Sequence, residues 1–514
     1  MWRGWLEPES QLFEISPTRH RTLSISMARD KRKKRKDHAA KKAAAKSYKS
    51  QKQAEKAERK NARHNAKFEE DDEDIDLILK QFEAEEKKKY EVTEEISADP
   101  PSPRANASFV ASPLSQPVLY LFGGEHYDGN KLRVFNELYK YRIDKQEWRK
   151  IVSAYAPGPR SGHQTVALNN GKLLVFAGEF ASSTQSQFHH WKDCWTFDVK
   201  ENKWEKLDIP TPPPRSGHRM TVWKNFVIMF GGFYDNYKTT KYYDDLWIFD
   251  CNEYKWEKVE LPALSSKPTA RSGFQFFTYG DICFLYGGYC KTQVDGEREQ
   301  GVVHSDMWIL HMSTDMSALR WERVKKSGTP PPARAGCTMT VHKNRAILFG
   351  GVEDDEEAGD VSVSRNDMFS FALEGKKWFP FTLKKPKEAE GGKRRRRAKA
   401  PTGEEEVEQG EGEDDTLADG QASEENIPHP RYNAMLTVYR STLYLYGGLF
   451  EERKKEFTLD DMWTLNLDKG GPWETVIKGG WERGKETQGA KDGEADENSS
   501  AEDSDGDSGD SDSD

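Results

Sequence analysis

Arginine and acidic side chains recur in a fixed order along one stretch of this chain, and they are the residues best suited to polar chemistry. The arginines usually follow a proline, and they are Arg104, Arg160, Arg215, Arg271, Arg334 and Arg431. The acidic residues each stand two positions before an aromatic ring, and they are Glu137, Asp193, Asp245, Asp306, Asp367 and Asp461. A guanidinium and a carboxylate pair through two parallel hydrogen bonds. The arginines can therefore bind an acidic peptide or pair within the chain. Because every copy carries both charges, the internal pair is favoured for most copies.

The sequence contains no motif that is typical of an active site. Six histidines of the repeating stretch are scattered along it, and they are His126, His163, His218, His304, His311 and His342. Patterns for zinc proteases, nucleophile elbows, phosphate-binding loops and dinucleotide binding are absent. The five cysteines show neither a C-x-x-C pair nor zinc-ligand spacing. We therefore predict a protein that is not an enzyme, with no catalytic residues, metal ligands or cofactor.

Two predicted loops are rich in aromatic and histidine side chains. The first carries Phe180, Phe188, His189, His190 and Trp191. The second carries Phe233, Tyr234, Tyr237, Tyr242 and Tyr243. Aromatic residues dominate the energetics of protein interfaces, so these side chains are candidates for binding a peptide or protein. The alternative is that they pack on each other and stiffen long loops.

Composition separates a folded part from charged arms. Of the 514 residues, 32% are charged, and the net charge of −9 conceals strong segregation along the chain. Residues 28–67 carry 17 Lys/Arg against 4 Asp/Glu, whereas residues 492–514 carry 11 acids and no base. A second basic block, 393–399, lies directly before an acidic stretch. Such blocks repel themselves and bury little apolar surface, so we predict disordered arms.

The basic blocks leave two interpretations open. They are typical of nuclear localisation signals, and they are equally typical of non-specific nucleic-acid contacts through residues 28–67. No stretch of 18 apolar residues is present, so no membrane partner is expected. We predict a nuclear or cytoplasmic protein, or one found in both compartments.

Two further signals recur six times each and predict the fold. A glycine pair, with Ala177 replacing the first glycine in one copy, ends an apolar strand at Gly123, Gly124, Gly178, Gly231, Gly232, Gly287, Gly288, Gly350, Gly351, Gly447 and Gly448. A lone tryptophan follows at Trp148, Trp204, Trp256, Trp321, Trp378 and Trp473. Each copy contains four short strand patterns. Because a single four-stranded unit leaves apolar surface exposed, the copies must stack radially. The sequence predicts an all-β, six-bladed β-propeller.

The predicted domain organisation follows from these patterns. The first copy begins with its strand one, and the last copy ends with its strand four. We therefore predict that the ring closes without a strand borrowed from the other terminus. Outside the ring, we predict a non-native or alternative-start extension at 1–27, a basic disordered or helical arm at 28–67 and an acidic short helix with a linker at 68–100. We also predict a charged disordered insertion at 384–426 and an acidic disordered tail at 479–514. The blades are predicted at 101–153, 154–209, 210–262, 263–326, 327–383 and 427–478.

The combination of a glycine pair, Asp-x-Trp, a lone Trp and Pro-Arg-Ser-Gly-His resembles the kelch repeat over residues 101–478. The arms, the charged insertion and motifs such as Phe122-Gly123-Gly124-Glu125 are similar to the kelch domain-containing protein 4 family. The resemblance implies a scaffold that binds a protein or peptide partner. In some kelch proteins, arginines near the position of the repeated arginine bind acidic peptides. The resemblance therefore implies that Arg160, Arg215, Arg271 and Arg334 are candidates for binding such a peptide.

Two other functions stay open at this point. The basic arm favours a nuclear or nucleolar factor associated with RNA or ribosome assembly. The propeller also fits a substrate-recognition subunit of a ubiquitin ligase, for which residues 75–82 are the candidate adaptor-binding motif.

Overall fold

Five four-stranded and one five-stranded antiparallel sheets, with three short two-stranded hairpins, form the architecture of this computed structural model, which describes residues 88, 90–236, 239–262, 265–294, 298–355, 361–383, 427–452 and 455–480. Each sheet is built from one continuous segment of chain, so the ring closes as the sequence predicts, without a strand exchanged between termini. The predicted basic arm, charged insertion and acidic tail lie outside the described residues, apart from Gly479 and Gly480, and remain predictions.

The first three blades combine a four-stranded core with a short hairpin. Blade one contains β2 (Ser108–Ala111), β3 (Val118–Phe122), β6 (Leu138–Arg142) and β7 (Glu147–Ser153), with hairpin β4 (Glu125–Tyr127) and β5 (Leu132–Val134) and outer strand β1 (Val92–Ile96). Blade two contains β8 (Gln164–Ala167), β9 (Lys172–Phe176), β12 (Cys194–Asp198) and β13 (Lys203–Leu207), with hairpin β10 (Glu179–Ala181) and β11 (Phe188–His190). Blade three contains β14 (Arg219–Trp223), β15 (Phe226–Phe230), β18 (Leu246–Asp250) and β19 (Lys255–Val259), with hairpin β16 (Phe233–Asp235) and β17 (Thr240–Tyr242).

In the last three blades the second and third strands run on past the glycine pair. Blade four contains β20 (Gln275–Tyr279), β21 (Ile282–Val294), β22 (Arg298–His311) and β23 (Arg320–Val324), with a 3-10 turn at Met316–Ala318. Blade five contains β24 (Thr338–His342), β25 (Arg345–Asp355), β26 (Val361–Ala372) and β27 (Lys377–Pro380). Blade six contains β28 (Met435–Tyr439), β29 (Thr442–Glu452), β30 (Lys455–Asn466) and β31 (Glu474–Ile477).

Outer strand β1 differs from the sequence prediction for its segment. Residues 92–96 fall in the predicted acidic helix and linker, yet they pair antiparallel with β7 in register Val92↔Ser153 to Ile96↔Arg149. Glu94 receives hydrogen bonds from Lys140, Arg149 and Asn202, the last of which belongs to blade two. The acidic residues of this segment therefore complement basic side chains on the ring. That pairing depends on tertiary contacts which local sequence does not specify.

The hydrophobic core consists of six clusters, one between each pair of adjacent blades. Each lone tryptophan packs against the aromatic residue that precedes the glycine pair of the previous blade, with ring centroids 4.9–5.7 Å apart. Trp148 completes the ring by packing on Tyr446 of blade six. Large rings bury much surface and have a fixed shape, so they define the spacing between blades.

Candidate functional site

The six repeated arginines are buried next to the glycine pairs, one arginine in each blade. Each guanidinium is at most 2% exposed, and it donates to the carbonyl oxygen of the first small residue of its own glycine pair at 2.9–3.1 Å. It also pairs with the acidic residue of its blade at 2.5–3.1 Å. In blade five the same guanidinium additionally contacts Glu353. Each arginine therefore forms its ion pair and its carbonyl hydrogen bond within its own blade.

This burial disfavours the predicted contact of Arg160, Arg215, Arg271 and Arg334 with a peptide, which remains a prediction. Their charged groups already have carboxylate partners and lie beneath the loop surface. An incoming acidic peptide would have to displace a preformed ion pair. A buried charge left without its partner is strongly unfavourable, so this exchange is disfavoured.

Two opposing effects act on four of these carboxylates, and the arginine outweighs burial in each. Burial tends to raise the pKa of Asp193, Asp245, Asp306 and Asp461, but the neighbouring arginine outweighs it, and each pKa lies below its usual value. Where the aromatic partner is a tryptophan, its indole N–H also donates to the carboxylate at 2.6–2.8 Å. These four acids are thus held ionised by a closed set of donors.

The aromatic loops of blades two and three lie side by side, and most of their rings are partly committed to packing. His190 contacts the rings of Phe233 and Tyr234, with centroids 5.6 and 5.0 Å away. Phe233 also contacts Tyr242 at 5.9 Å. Arg215 lies over the ring of Tyr243 at 4.1 Å. The packing alternative therefore describes these five side chains, although it does not account for the whole surface.

Trp191 supports the loop from below. Its indole N–H donates to the Pro159 carbonyl oxygen at 3.0 Å, and its ring lies 5.0 Å from the guanidinium carbon of Arg160. A methyl group at Gly158 would clash with this ring at 2.9 Å. Trp191 therefore fixes the hairpin β10–β11 on its blade. It does so while keeping an edge in the groove described next.

A groove of about 850 Å³ runs between the two loops. Its lining includes four of the predicted aromatic and histidine residues of blade two together with Tyr234 of blade three, and the blade-two residues are Phe188, His189, His190 and Trp191. Phe188 is 41% exposed, and His189 is also exposed. Phe180 pairs with His189 across the hairpin, and Tyr237 lies outside the described residues. The structure thus brings five of the ten predicted aromatic and histidine residues to one concave surface.

Two carboxylates at the start of the loops of blades one and two were not singled out as site residues from the sequence. Glu125 accepts hydrogen bonds from Asn106 and Ser161 at 2.6 and 2.8 Å. Glu179 lies 3.7 Å from His190 Nε2. The available signal was their position, because only blades one and two have an acid directly after the glycine pair.

Nothing in the described part of the chain forms a conventional reaction centre. His163 and His218 are buried, and burial is the main reason that their pKa values fall, to about 3 for His163. No group of three metal-ligating side chains is found among the described residues. None of the described helices is long and apolar enough to cross a membrane. The arrangement offers surface recognition through rings, carboxylates and a groove.

These repeats are similar to the kelch repeats of known proteins. Residues 67–288 match the family model described as the KLHDC2/KLHL20/DRC7 Kelch-repeats domain. The chain is 29% identical over 209 residues to the F-box/kelch-repeat protein At1g51550 of Arabidopsis thaliana, which covers 39% of this chain and 40% of that protein. It is 27% identical over 219 residues to Kelch repeat-containing protein 2 of Saccharomyces cerevisiae, covering 40% and 23%.

A third relative is the dynein alpha chain of the flagellar outer arm from Chlamydomonas reinhardtii. It is 26% identical over 238 residues, which covers 45% of this chain and 5% of the relative. The chain thus spans less than half the length of the curated relatives it matches. These comparisons support kelch repeats in general, and the more specific resemblance to the kelch domain-containing protein 4 family remains a prediction.

Proposed function

Because the chain carries a kelch-repeat β-propeller, we propose that it is a non-enzymatic protein-interaction module whose partner binds in the groove between the loops of blades two and three. The groove is the observation that supports this proposal, because it has a concave shape, an exposed Phe188 and aromatic rings that are held in place by packing. Preformed pockets for aromatic or aliphatic side chains are typical of interface hot spots.

The rigidity of the groove supports recognition further. The indole of Trp191 and the guanidinium of Arg160 hold hairpin β10–β11, while His190 accepts a hydrogen bond from the backbone N–H of Asp235 at 3.1 Å. This bond joins the loops of adjacent blades. A surface that is ordered before binding loses less conformational entropy when the partner arrives.

The test replaces exposed groove residues and leaves the supporting residues intact. Proximity labelling in cells would compare the wild-type chain with Phe188→Ala/His189→Ala. The matched control is Phe379→Ala, which removes an equally exposed ring, 43% against 41%, on blade five. We expect a discrete set of labelled proteins to disappear in the groove variant alone. Identical labelling in all three would refute the groove as the binding site.

The two other functions depend on segments outside the described residues. Deletion of residues 28–67 tests the RNA-associated function, because loss of nuclear or nucleolar labelling would then follow the arm and be independent of the groove. Substitution of the apolar residues in 75–82 tests the ubiquitin-ligase function through loss of adaptor proteins from the labelled set. We propose a nuclear or cytoplasmic location on the same basis.

A further inference from the structure

A cavity of about 190 Å³ lies at the centre of the ring, where strand one of each blade begins. All six blades contribute to its lining, and among these described residues Arg219 is the only arginine, lysine or acidic side chain. His163 also lines the cavity, but burial lowers its pKa to about 3 and keeps it neutral. The cavity therefore carries one positive charge and no negative charge.

Arg219 is the first residue of strand one in blade three, and the equivalent residues of the other blades are uncharged. These are Ser108, Gln164, Gln275, Thr338 and Met435, each of which begins strand one of its own blade. Every repeat needs the same contacts to stack on its neighbours, so a structural arginine would recur, as the six ion-paired arginines do. Stacking of the blades thus gives no reason for a charge at this one copy.

The half-buried guanidinium of Arg219 has few partners for a group with five N–H donors. Within the described part of the chain, its one hydrogen bond runs from Nη1 to the carbonyl oxygen of His218 at 3.3 Å, and no carboxylate pairs with it. Burial lowers its pKa to about 10, so it keeps its charge at neutral pH. A charge inside a protein is unfavourable without a counter-ion, and a bound anion supplies one.

The backbone beside Arg219 contributes a second donor. In blade five, the N–H of Met339 donates to Oε1 of Gln275, which begins strand one of the preceding blade, at 3.0 Å. The same bond joins blades two and three at 3.4 Å. The equivalent N–H of blade four is that of Phe276, which lines the cavity, and the preceding blade presents Arg219 in place of glutamine. Because arginine has no acceptor atom, an anion is the group that can accept from both.

We propose that the central cavity binds a small oxyanion such as phosphate between the guanidinium of Arg219 and the N–H of Phe276. A guanidinium presents paired N–H donors that match the oxygens of phosphate and carboxylate groups. One water needs roughly 10–15 Å³ of such space. The cavity therefore has room for an ion of this size and some of its water. It shares no lining residue with the groove of blades two and three, so the inference does not depend on the proposed function.

Calorimetric titration and thermal melting of the full chain test this site, with phosphate replacing chloride at constant ionic strength. The decisive variant is Arg219→Gln. Glutamine is the residue at this position in blades two and four, and it can accept from Phe276 as Gln275 accepts from Met339. The matched control is Arg142→Gln, which removes an exposed arginine that pairs with Asp144 on blade one.

We expect phosphate at ten times its Kd to raise the melting temperature of the wild type and of Arg142→Gln by about 2 °C or more. Arg219→Gln should bind phosphate about tenfold more weakly or worse. Phosphate also stabilises proteins by exclusion from their surface, so the quantity measured is the difference between the wild type and Arg219→Gln. Without phosphate, Arg219→Gln should melt above the wild type, because it removes a charge that has no counter-ion.

Three results would overturn the proposal. The first is an equal response of the wild type and Arg219→Gln to phosphate. The second is equal stability of the wild type in phosphate and in chloride. The third is a melting temperature of Arg219→Gln far below that of the wild type without phosphate, because the arginine would then be a structural donor.

The acidic tail of the chain can supply the same chemistry through its carboxylates. A full-length variant in which the 11 acids of residues 492–514 are changed to Asn or Gln is therefore titrated beside the wild type. Equal affinity for phosphate in both supports a free anion as the ligand. Binding to the neutralised variant alone would overturn the free ligand and show that the tail occupies the site.

Discussion

Arg431 and Asp461 form the most deeply buried of the six ion pairs, with side-chain exposures of 0% and 4%. The two guanidinium nitrogens Nη1 and Nη2 each lie 2.6 Å from a carboxylate oxygen, and Nη1 also donates to the Gly447 carbonyl at 3.0 Å. Arg431→Gln leaves a buried carboxylate without its counter-ion. We expect it to lower the free energy of unfolding by about 3–5 kcal/mol, measured by urea denaturation.

The control for this measurement is a surface pair in the same fold. Arg142 and Asp144 are 30% and 43% exposed at 3.0 Å, and Arg142→Gln should cost about 1 kcal/mol or less. Equal effects of the two substitutions would contradict the structural role assigned to the repeated arginines.

Ala177 stands where the other five blades have glycine, and its φ of 58° lies in the left-handed region. A side chain in that region clashes with its own backbone, so Ala177→Gly should stabilise the protein by about 1 kcal/mol. The reciprocal change, Gly231→Ala, should destabilise it, because the added methyl group would approach the Arg271 carbonyl oxygen at 2.7 Å. Thermal melting measures both. A lower melting temperature for Ala177→Gly would show that this blade has adapted to the methyl group.

Glu179 should make stability depend on pH in the direction opposite to the arginine-paired acids. Its pKa rises from 4.5 to about 8 because of burial and repulsion from Glu125, with Asp235 adding to the rise. A raised pKa stabilises the fold at low pH, and the stabilisation is lost as pH increases from about 4.5 to 8. The neighbouring His190 has a lowered pKa, about 4, and is neutral in this range.

Glu179→Gln should therefore raise the melting temperature at pH 8 and change it little at pH 5. Glu205→Gln, which removes an exposed acid on the same blade, provides the control. A pH dependence that is the same in wild type and Glu179→Gln would contradict the raised pKa of this carboxylate.

At the scale of elements, β1 joins two blades through one side chain. Glu94 lies 3.3 Å from Lys140 Nζ and 3.2 Å from Arg149 Nη1, and it accepts a hydrogen bond from Asn202 at 3.0 Å. Glu94→Ala removes all three contacts and should lower the free energy of unfolding by about 1 kcal/mol. Glu95→Ala, on the opposite face of the same strand, should have no measurable effect. Equal stability of both variants in urea would show that β1 does not stabilise the ring.

The repeats allowed the fold to be predicted at this scale, but not every element or contact. The glycine pair marks the end of strand two in each blade, and Asp-x-Trp marks the start of strand three. The spacing of these motifs therefore predicted both strands. β1 carries no such motif, and its pairing depends on Lys140, Arg149 and Asn202, which are distant in sequence. The aromatic groove was predicted because its residues cluster along the chain. Glu125 and Glu179 become neighbours only when the blades stack.

At the scale of the whole molecule, each blade is self-contained and the ring depends on contacts between blades. In five of the six blades the backbone N–H of the second glycine donates to the arginine carbonyl oxygen of the next blade, as in Gly232 to Arg271 at 2.9 Å. The same bond closes the ring from Gly448 to Arg104 at 3.1 Å. Closure adds one more interface of the common kind, with Trp148 packed on Tyr446. Stability should therefore depend on having six interfaces, regardless of where the chain begins.

A circular permutant tests this independence of chain ends. The new termini are placed within 384–426, between blades five and six, and a short linker joins residue 480 to residue 90. Residues 97–100 and 476–478 line a common cavity, so the linker has to span about the length of β1 from that cavity to residue 90. Because every strand stays in its own blade, we expect near-ultraviolet circular dichroism and melting temperature close to those of the wild type. A matched chain lacking 427–478 loses two interfaces and should unfold at a much lower temperature. If the permutant melts like that truncated chain, the order of the blades along the chain contributes to stability in its own right.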